Sequence, residues 1–283
     1  MIGDSQDTEN RVESAFDDAG ALADQALQAL LPQPAGPEAR LLEAMRTAAR
    51  TEDLRLRAFL VLQTGGLFGV DRRVLGRVAA AVECVAAHAR ARSGVGGADP
   101  AHAALAGDGL FALAFALLAS PECAGDPFVR CELVARLAQV AGHTGMTGGE
   151  ALTLAFAGAE AAPPLPELSR HQHMKTAALL SFCCEAGAVL SRASPPARHA
   201  LSAYGQDVGL ALQIARDLER TQDGADQSRV RTVVSALGTE RAAAQAAALS
   251  AQAVRHLDLF DEKADLLRAA AGYVVATRRG AAA

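Results

Sequence analysis

Apolar residues in this chain recur at spacings of three and four almost from end to end, as in Leu22, Ala26 and Leu30, and in Val129, Leu133, Leu137 and Val140. Residues three and four apart share one face of a helix, so this period predicts amphipathic helices. Strand-like alternation is scarce. Breaker clusters divide the chain at 32–37, 93–100, 121–127, 142–149, 161–166, 194–196 and 221–228. Between them lie about ten to twelve stretches of helix length. Pro127 and Pro196 suit first-turn positions, where a missing N–H costs little, and Ser169 or Glu167 is expected to open the long stretch through Leu190. Gly107 to Ala119, Lys175 to Leu190 and Tyr204 to Ile214 are apolar on most faces, which places them in the middle of a bundle. The expectation is an all-α fold. It forms a single domain over residues 1–283, with helices around a central cavity or core and fraying at 1–10 and 279–283.

A chain of 283 residues that is 51% hydrophobic can bury a large core. Aromatics are only 4% and Trp is absent, so that core must be built from Ala, Leu and Val, which favours close helix packing. The net charge of −5 and the lack of a basic run argue against nucleic-acid binding. No uninterrupted apolar run reaches about 18 residues, so no transmembrane segment is expected. Met1 to Arg11 is acidic and polar, unlike a secretory signal. Cys84, Cys123, Cys131, Cys183 and Cys184 form an odd set without a CxxC pair, which indicates neither a zinc site nor a disulfide framework. Reduced, mostly buried thiols and a cytoplasmic location are the expectation. His171 and His173 alternate before a helix, where flanking the helix is the commoner role than holding a metal. The glycine-rich stretch 142–149 lacks a phosphate-loop pattern and reads as a turn between helices.

Four stretches carry a resemblance. They are Val82-Glu83-Cys84-Val85-Ala86-Ala87-His88, Leu105-Ala106-Gly107-Asp108-Gly109-Leu110, Lys175-Thr176 and Gln213-Ile214-Ala215-Arg216-Asp217. They resemble landmarks of the trans-isoprenyl diphosphate synthases, the short-chain polyprenyl synthases of farnesyl and geranyl type. The similarity runs from about Leu31 to Arg279. It implies an isoprenoid synthase-type helical bundle, a dimer, and diphosphate chemistry carried by magnesium on two aspartate-rich motifs. Arg55 to Leu60 is similar to the family segment whose Lys and last Arg grip the homoallylic diphosphate; Arg57 matches that Arg, while Glu52-Asp53-Leu54 replaces Gly-Gly-Lys. Added acids beside an anion-binding loop weaken it. Met146 to Glu150 resembles the family's GGQ segment, with Glu150 in place of Gln and Thr153 in place of a later Asp. Lys175 matches a Lys that contacts the allylic diphosphate, and Gln213 matches the Gln before the second aspartate motif.

The departures bear on the chemistry. The first aspartate motif should follow His88, but the chain continues Ala89-Arg90-Ala91-Arg92 into a glycine-rich break and is shorter here than the family pattern. The second motif has Arg216, Asp217 and Arg220 where three aspartates would bind metal, so a formal −3 becomes +1. A hard dication needs oxygen ligands, and Arg offers no lone pair. The resemblance therefore implies a homologue without an intact Mg²⁺–diphosphate site and with no catalytic residue of the usual set. Arg57, Lys175 and Gln213 remain as vestigial diphosphate contacts, and no cofactor is expected. Three readings stay open. The first is a non-catalytic or regulatory homologue in isoprenoid biosynthesis, a homodimer or a heterodimer with an active prenyl diphosphate synthase. The second is a binder or enzyme of altered, metal-independent chemistry, in which His88, Arg90, Arg92, Lys175, Arg216 and Arg220 converge on a diphosphate or isoprenoid ligand. The third is a prenyltransferase using a tolerated variant of the usual mechanism. The arginines also have a plainer reading, as C-terminal helix charges or local ion pairs.

Overall fold

A computed structural model describes residues 2–31, 33–49, 55–92, 99–159, 161, 163–222 and 232–280. Among them are α1 (Ile2–Leu30), α2 (Ala39–Ala49), α3 (Leu56–Gly66), α4 (Arg72–Arg92), α5 (Pro100–Ala119), α6 (Pro127–Ala141) and α7 (Met146–Ala157). There follow α8 (Leu165–Gln172), a π-helical turn (His173–Ala177), α9 (Ala178–Leu190), α10 (Pro195–Gln222), α11 (Val233–Leu237), α12 (Thr239–His256) and α13 (Asp265–Gly280). Because α8, the π-turn and α9 run on without a break, the thirteen α-helices make twelve rods, and no strand occurs among the described residues. The all-α expectation holds.

Several boundaries shift from the sequence reading. The amino-terminal stretch expected to fray is helical from Ile2, and α13 runs to Gly280. Gly148 and Gly149 lie inside α7, so the turn there is only 142–145. The long rod opens at Leu165, after Pro164, ahead of Glu167 and Ser169. The breaks at 93–98 and 223–231 lie outside the described residues.

The chain divides into two compact units. The first comprises Met1–Val12, Ala138–Glu185 and Ser194–Ala283, and the second Glu13–Leu137 and Ala186–Ala193. In the first, α10 packs on α12 and α13, and Leu201, Tyr204 and Ile214 of α10, Ala242 and Ala246 of α12, and Ala270 and Ala271 of α13 are buried. Tyr204 is fully buried, and its hydroxyl donates to the Leu267 carbonyl at 2.6 Å, as a buried phenol must. Arg268 donates to the carbonyls of Leu257, Phe260 and Asp261, closing the turn between α12 and α13.

In the second unit α4 is the buried centre. Leu75 and every residue from Val78 to Ala87 are buried, on all faces of the helix. Around α4 lie α3 and α5, and Phe16 meets Phe59 edge to face at 4.6 Å. The sequence reading placed Gly107 to Ala119 in the middle instead. In the structure α5 exposes a face of Leu105, Ala112 and Ala116. That helix is 20 residues long and apolar enough to cross a bilayer by length and composition, a test the sequence reading missed because His102 and Asp108 interrupt the run. One such helix is weak evidence for a membrane span. Of the five cysteines, Cys131 is exposed and four are buried. Burial pushes the Cys84 thiol up to about 12 and the Cys123 thiol up to about 11, so both stay protonated.

The alanine-rich core demands close backbone approach. A Cβ on Gly187 of α9 would lie 2.3 Å from the Cα of Gly65 on α3, which leaves no atom free to yield. Gly187→Val is therefore expected to lower unfolding stability by about 1–3 kcal/mol, read as a lower urea midpoint at unchanged slope.

Candidate functional site

In the first unit the sequence-selected residues meet around the π-turn. This turn carries Lys175 and Thr176 and is held from two sides by glycine. A Cβ on Gly149 of α7 would lie 2.9 Å from the Lys175 backbone nitrogen, and one on Gly209 of α10 would lie 2.6 Å from the Ala177 Cα. Thr176 donates through Oγ1 to Gln213 Oε1 at 2.9 Å, and Gln213 donates through Nε2 to Asp217 Oδ1 at 2.9 Å. The spacing of Gln213, Asp217 and Arg220 on α10 puts all three on one face. Arg220 pairs with Asp217 Oδ1, and Gln172 of α8 donates to Asp217 Oδ2 at 3.2 Å. Asp217 is 3% exposed, so this carboxylate is both buried and committed to three donors. Arg216 lies half-buried on the same helix.

Beside this network, Lys175 Nζ lies 3.1 Å from Glu150 Oε1 of α7. Thr153 and His171 share a hydrogen bond of 2.8 Å, and the His171 ring stands edge-on to Phe156 at 5.5 Å. Burial first, and the charge of Lys175 second, hold His171 below the ordinary imidazole range, so it is neutral at pH 7. Burial does the same to His173.

The second unit holds the other cations singled out in the sequence, with His88. Arg57 donates from Nε to both carboxylate oxygens of Glu83, at 3.1 and 3.2 Å, and from Nη2 to Oε2 at 2.8 Å. The Glu83 side chain is 2% exposed, which makes this a buried pair. Arg55, at the entry to α3 with φ of 53°, pairs with Asp24 at 2.8 Å. Arg90 donates to the Ala48 carbonyl at 3.1 Å, in the last turn of α2. Arg92 is exposed at the end of α4. His88 stacks on Phe111 with ring centroids 4.6 Å apart and lies 3.9 Å from Asp108, and burial lowers its pKa. The substituted loop Glu52-Asp53-Leu54, the shortened segment after Arg92 and the stretch around Val230 lie outside the described residues.

Three partners were missed by sequence reasoning. A lone acid in the apolar run of α4 signalled that Glu83 needs a cation. The charge change to Glu150 signalled a partner for Lys175. Nothing local announced Gln172, whose target is 45 positions away.

Of the three positions of the second motif, only Asp217 is acidic, and its oxygens already accept from Gln172, Gln213 and Arg220. Among the described residues no cluster of three His, Cys, Asp or Glu side chains could hold a metal ion.

The polyprenyl synthetase family model matches residues 85–227. Farnesyl diphosphate synthase of Escherichia coli is 31% identical, over 89% of this chain and 94% of its own length. The chain belongs to the polyprenyl synthetase family. Farnesyl diphosphate synthase of Geobacillus stearothermophilus is 29% identical over 93% of this chain and 95% of its own length. The crystal structure of an FPP/GFPP synthase from Zymomonas mobilis, in its apo form, superposes with a TM-score of 0.88 at 38% identity, covering 94% of this chain and 99% of the other. A geranyltransferase from Legionella pneumophila shares the fold, with a TM-score of 0.85 at 22% identity over 96% of this chain and 99% of its own. The expectation of an isoprenoid synthase-type helical fold is thereby met.

For this family member the Arg57–Glu83 pair offers a direct test of structural against ligand-binding use. Arg57→Met strands a buried carboxylate and is expected to cost about 3–5 kcal/mol in urea unfolding. Adding Glu83→Leu should restore most of that loss. A single variant as stable as the parent would mark Arg57 as a cation not needed by the fold.

Proposed function

We propose that this polyprenyl synthetase homologue belongs to isoprenoid metabolism but has lost metal-dependent prenyl transfer, and that it acts as a non-catalytic or regulatory chain, paired with a second copy or with an active prenyl diphosphate synthase. The observation that carries the reading is the state of Asp217. Ionising an allylic diphosphate needs several negative charges neutralised on the leaving group, and the ions that do this supply several kcal/mol of transition-state stabilisation. Arg216, Asp217 and Arg220 offer one carboxylate, and that one is buried and fully hydrogen-bonded. The cations of the resemblance are paired with carboxylates as well: Arg57 with the buried Glu83, and Lys175 with the half-exposed Glu150.

A second reading, an active synthase, is favoured by a separate observation. The relatives compared above include farnesyl diphosphate synthases, and Lys175, Thr176 and Gln213 are retained, with Thr176 hydrogen-bonded to Gln213. The paired dimer and the cytoplasm as place of action are parts of the proposal that rest on the family resemblance.

Diphosphate release from isopentenyl diphosphate and an allylic diphosphate in excess Mg²⁺ separates the readings. The expected rate lies at least about a thousandfold below ordinary enzyme turnover, which corresponds to about 4 kcal/mol of lost stabilisation. Turnover of about 1 s⁻¹ or faster would establish the second reading and overturn the first.

A further inference from the structure

Lys175 has the marks of a built anion site and the wrong occupant. Its π-turn interrupts an otherwise α-helical rod, a geometry found frequently at functional sites. Gly149 and Gly209 press on that turn from two helices, so the backbone beneath the ammonium is stiff. The side chain is not part of the core: Lys175 is 36% exposed and Glu150 39%. An ion pair this open to water adds little to stability, so the fold has no need of it. Lys175 and Arg220 each face a carboxylate, Glu150 and Asp217, and His171, held below the ordinary imidazole range, is close enough to feel Lys175, Glu150 and Asp217. Asp217 is locked by three donors, which leaves Glu150 as the one acid in this group that is open to exchange.

We infer that Glu150 is a built-in counter-anion: its carboxylate takes the place beside Lys175 that an oxygen of a free diphosphate would take, and so keeps shut an otherwise formed anion site. This rests on the reading that no metal-held diphosphate is bound there. Neutralising Glu150 leaves the half-exposed Lys175 ammonium without its counter-charge and removes the like-charge repulsion that a diphosphate meets.

The test is titration of the full chain with inorganic pyrophosphate in EDTA at low ionic strength, followed by calorimetry. Glu150→Gln, which keeps the side-chain shape, is expected to bind pyrophosphate at least about tenfold more tightly than the parent, as loss of a charge a few ångströms away implies. Glu150→Ala should show the same gain, and Glu150→Gln combined with Lys175→Gln should lose it. The inference is overturned if neither single variant binds more tightly than the parent, or if the gain survives loss of Lys175. Turnover by the parent with isoprenoid substrates and Mg²⁺ would strike the functional reading alone, since the EDTA titration reads Glu150 without metal or catalysis.

Discussion

A core short of aromatic volume has to close by bringing backbones together, and that constraint governs this structure. With no Trp and few rings, the space between helices is filled by alanine methyl groups and by glycines that carry no Cβ. Gly187 rides on Gly65, a Cβ on Gly205 would lie 2.5 Å from the Leu180 carbonyl oxygen, and Gly149 and Gly209 hold the π-turn. The last two contacts link packing to chemistry. They fix the one irregular turn of a long rod at the residues that carry Lys175 and Thr176, and Thr176 then sets Gln213 and through it Asp217.

Electrostatics follows from the same compactness. Carboxylates inside an apolar bundle are tolerated only when paired and hydrogen-bonded. Glu83 meets this demand through three contacts from Arg57, and Asp217 through Gln172, Gln213 and Arg220. A carboxylate satisfied in this way has little left to offer a cation from solution. Each of these acids thus serves the interior of its own unit.

The helical class and the helix count were legible because apolar periodicity is a local signal, and the breakers at 121–127 and 194–196 act where they stand. Which helix lies innermost was not. α5 looked more apolar than α4, yet α4 is the buried one: its small residues admit close neighbours, and its single interior acid has a partner. Composition reports transfer cost, whereas centrality depends on how closely neighbours approach. At the site, Lys175, Thr176, Gln213 and Asp217 were marked by resemblance, and the structure joins them. The π-turn was invisible, since nothing in His173 to Ala177 distinguishes it from an α-turn until the two glycines from distant helices are placed against it. Gln172 was hidden for the same reason.

The two glycines that clamp the π-turn also bear on how such a chain drifts. At Gly149 and Gly209 any side chain collides with backbone, so replacement is barred by sterics whether or not a substrate is ever turned over. Glu150, one residue away and half-exposed, meets no such barrier. Mutation in a lineage relieved of catalytic selection would then be channelled into the polar positions while the scaffold around them stays fixed. Ancestry remains readable in the parts that touch each other, and occupation must be read from the parts that do not.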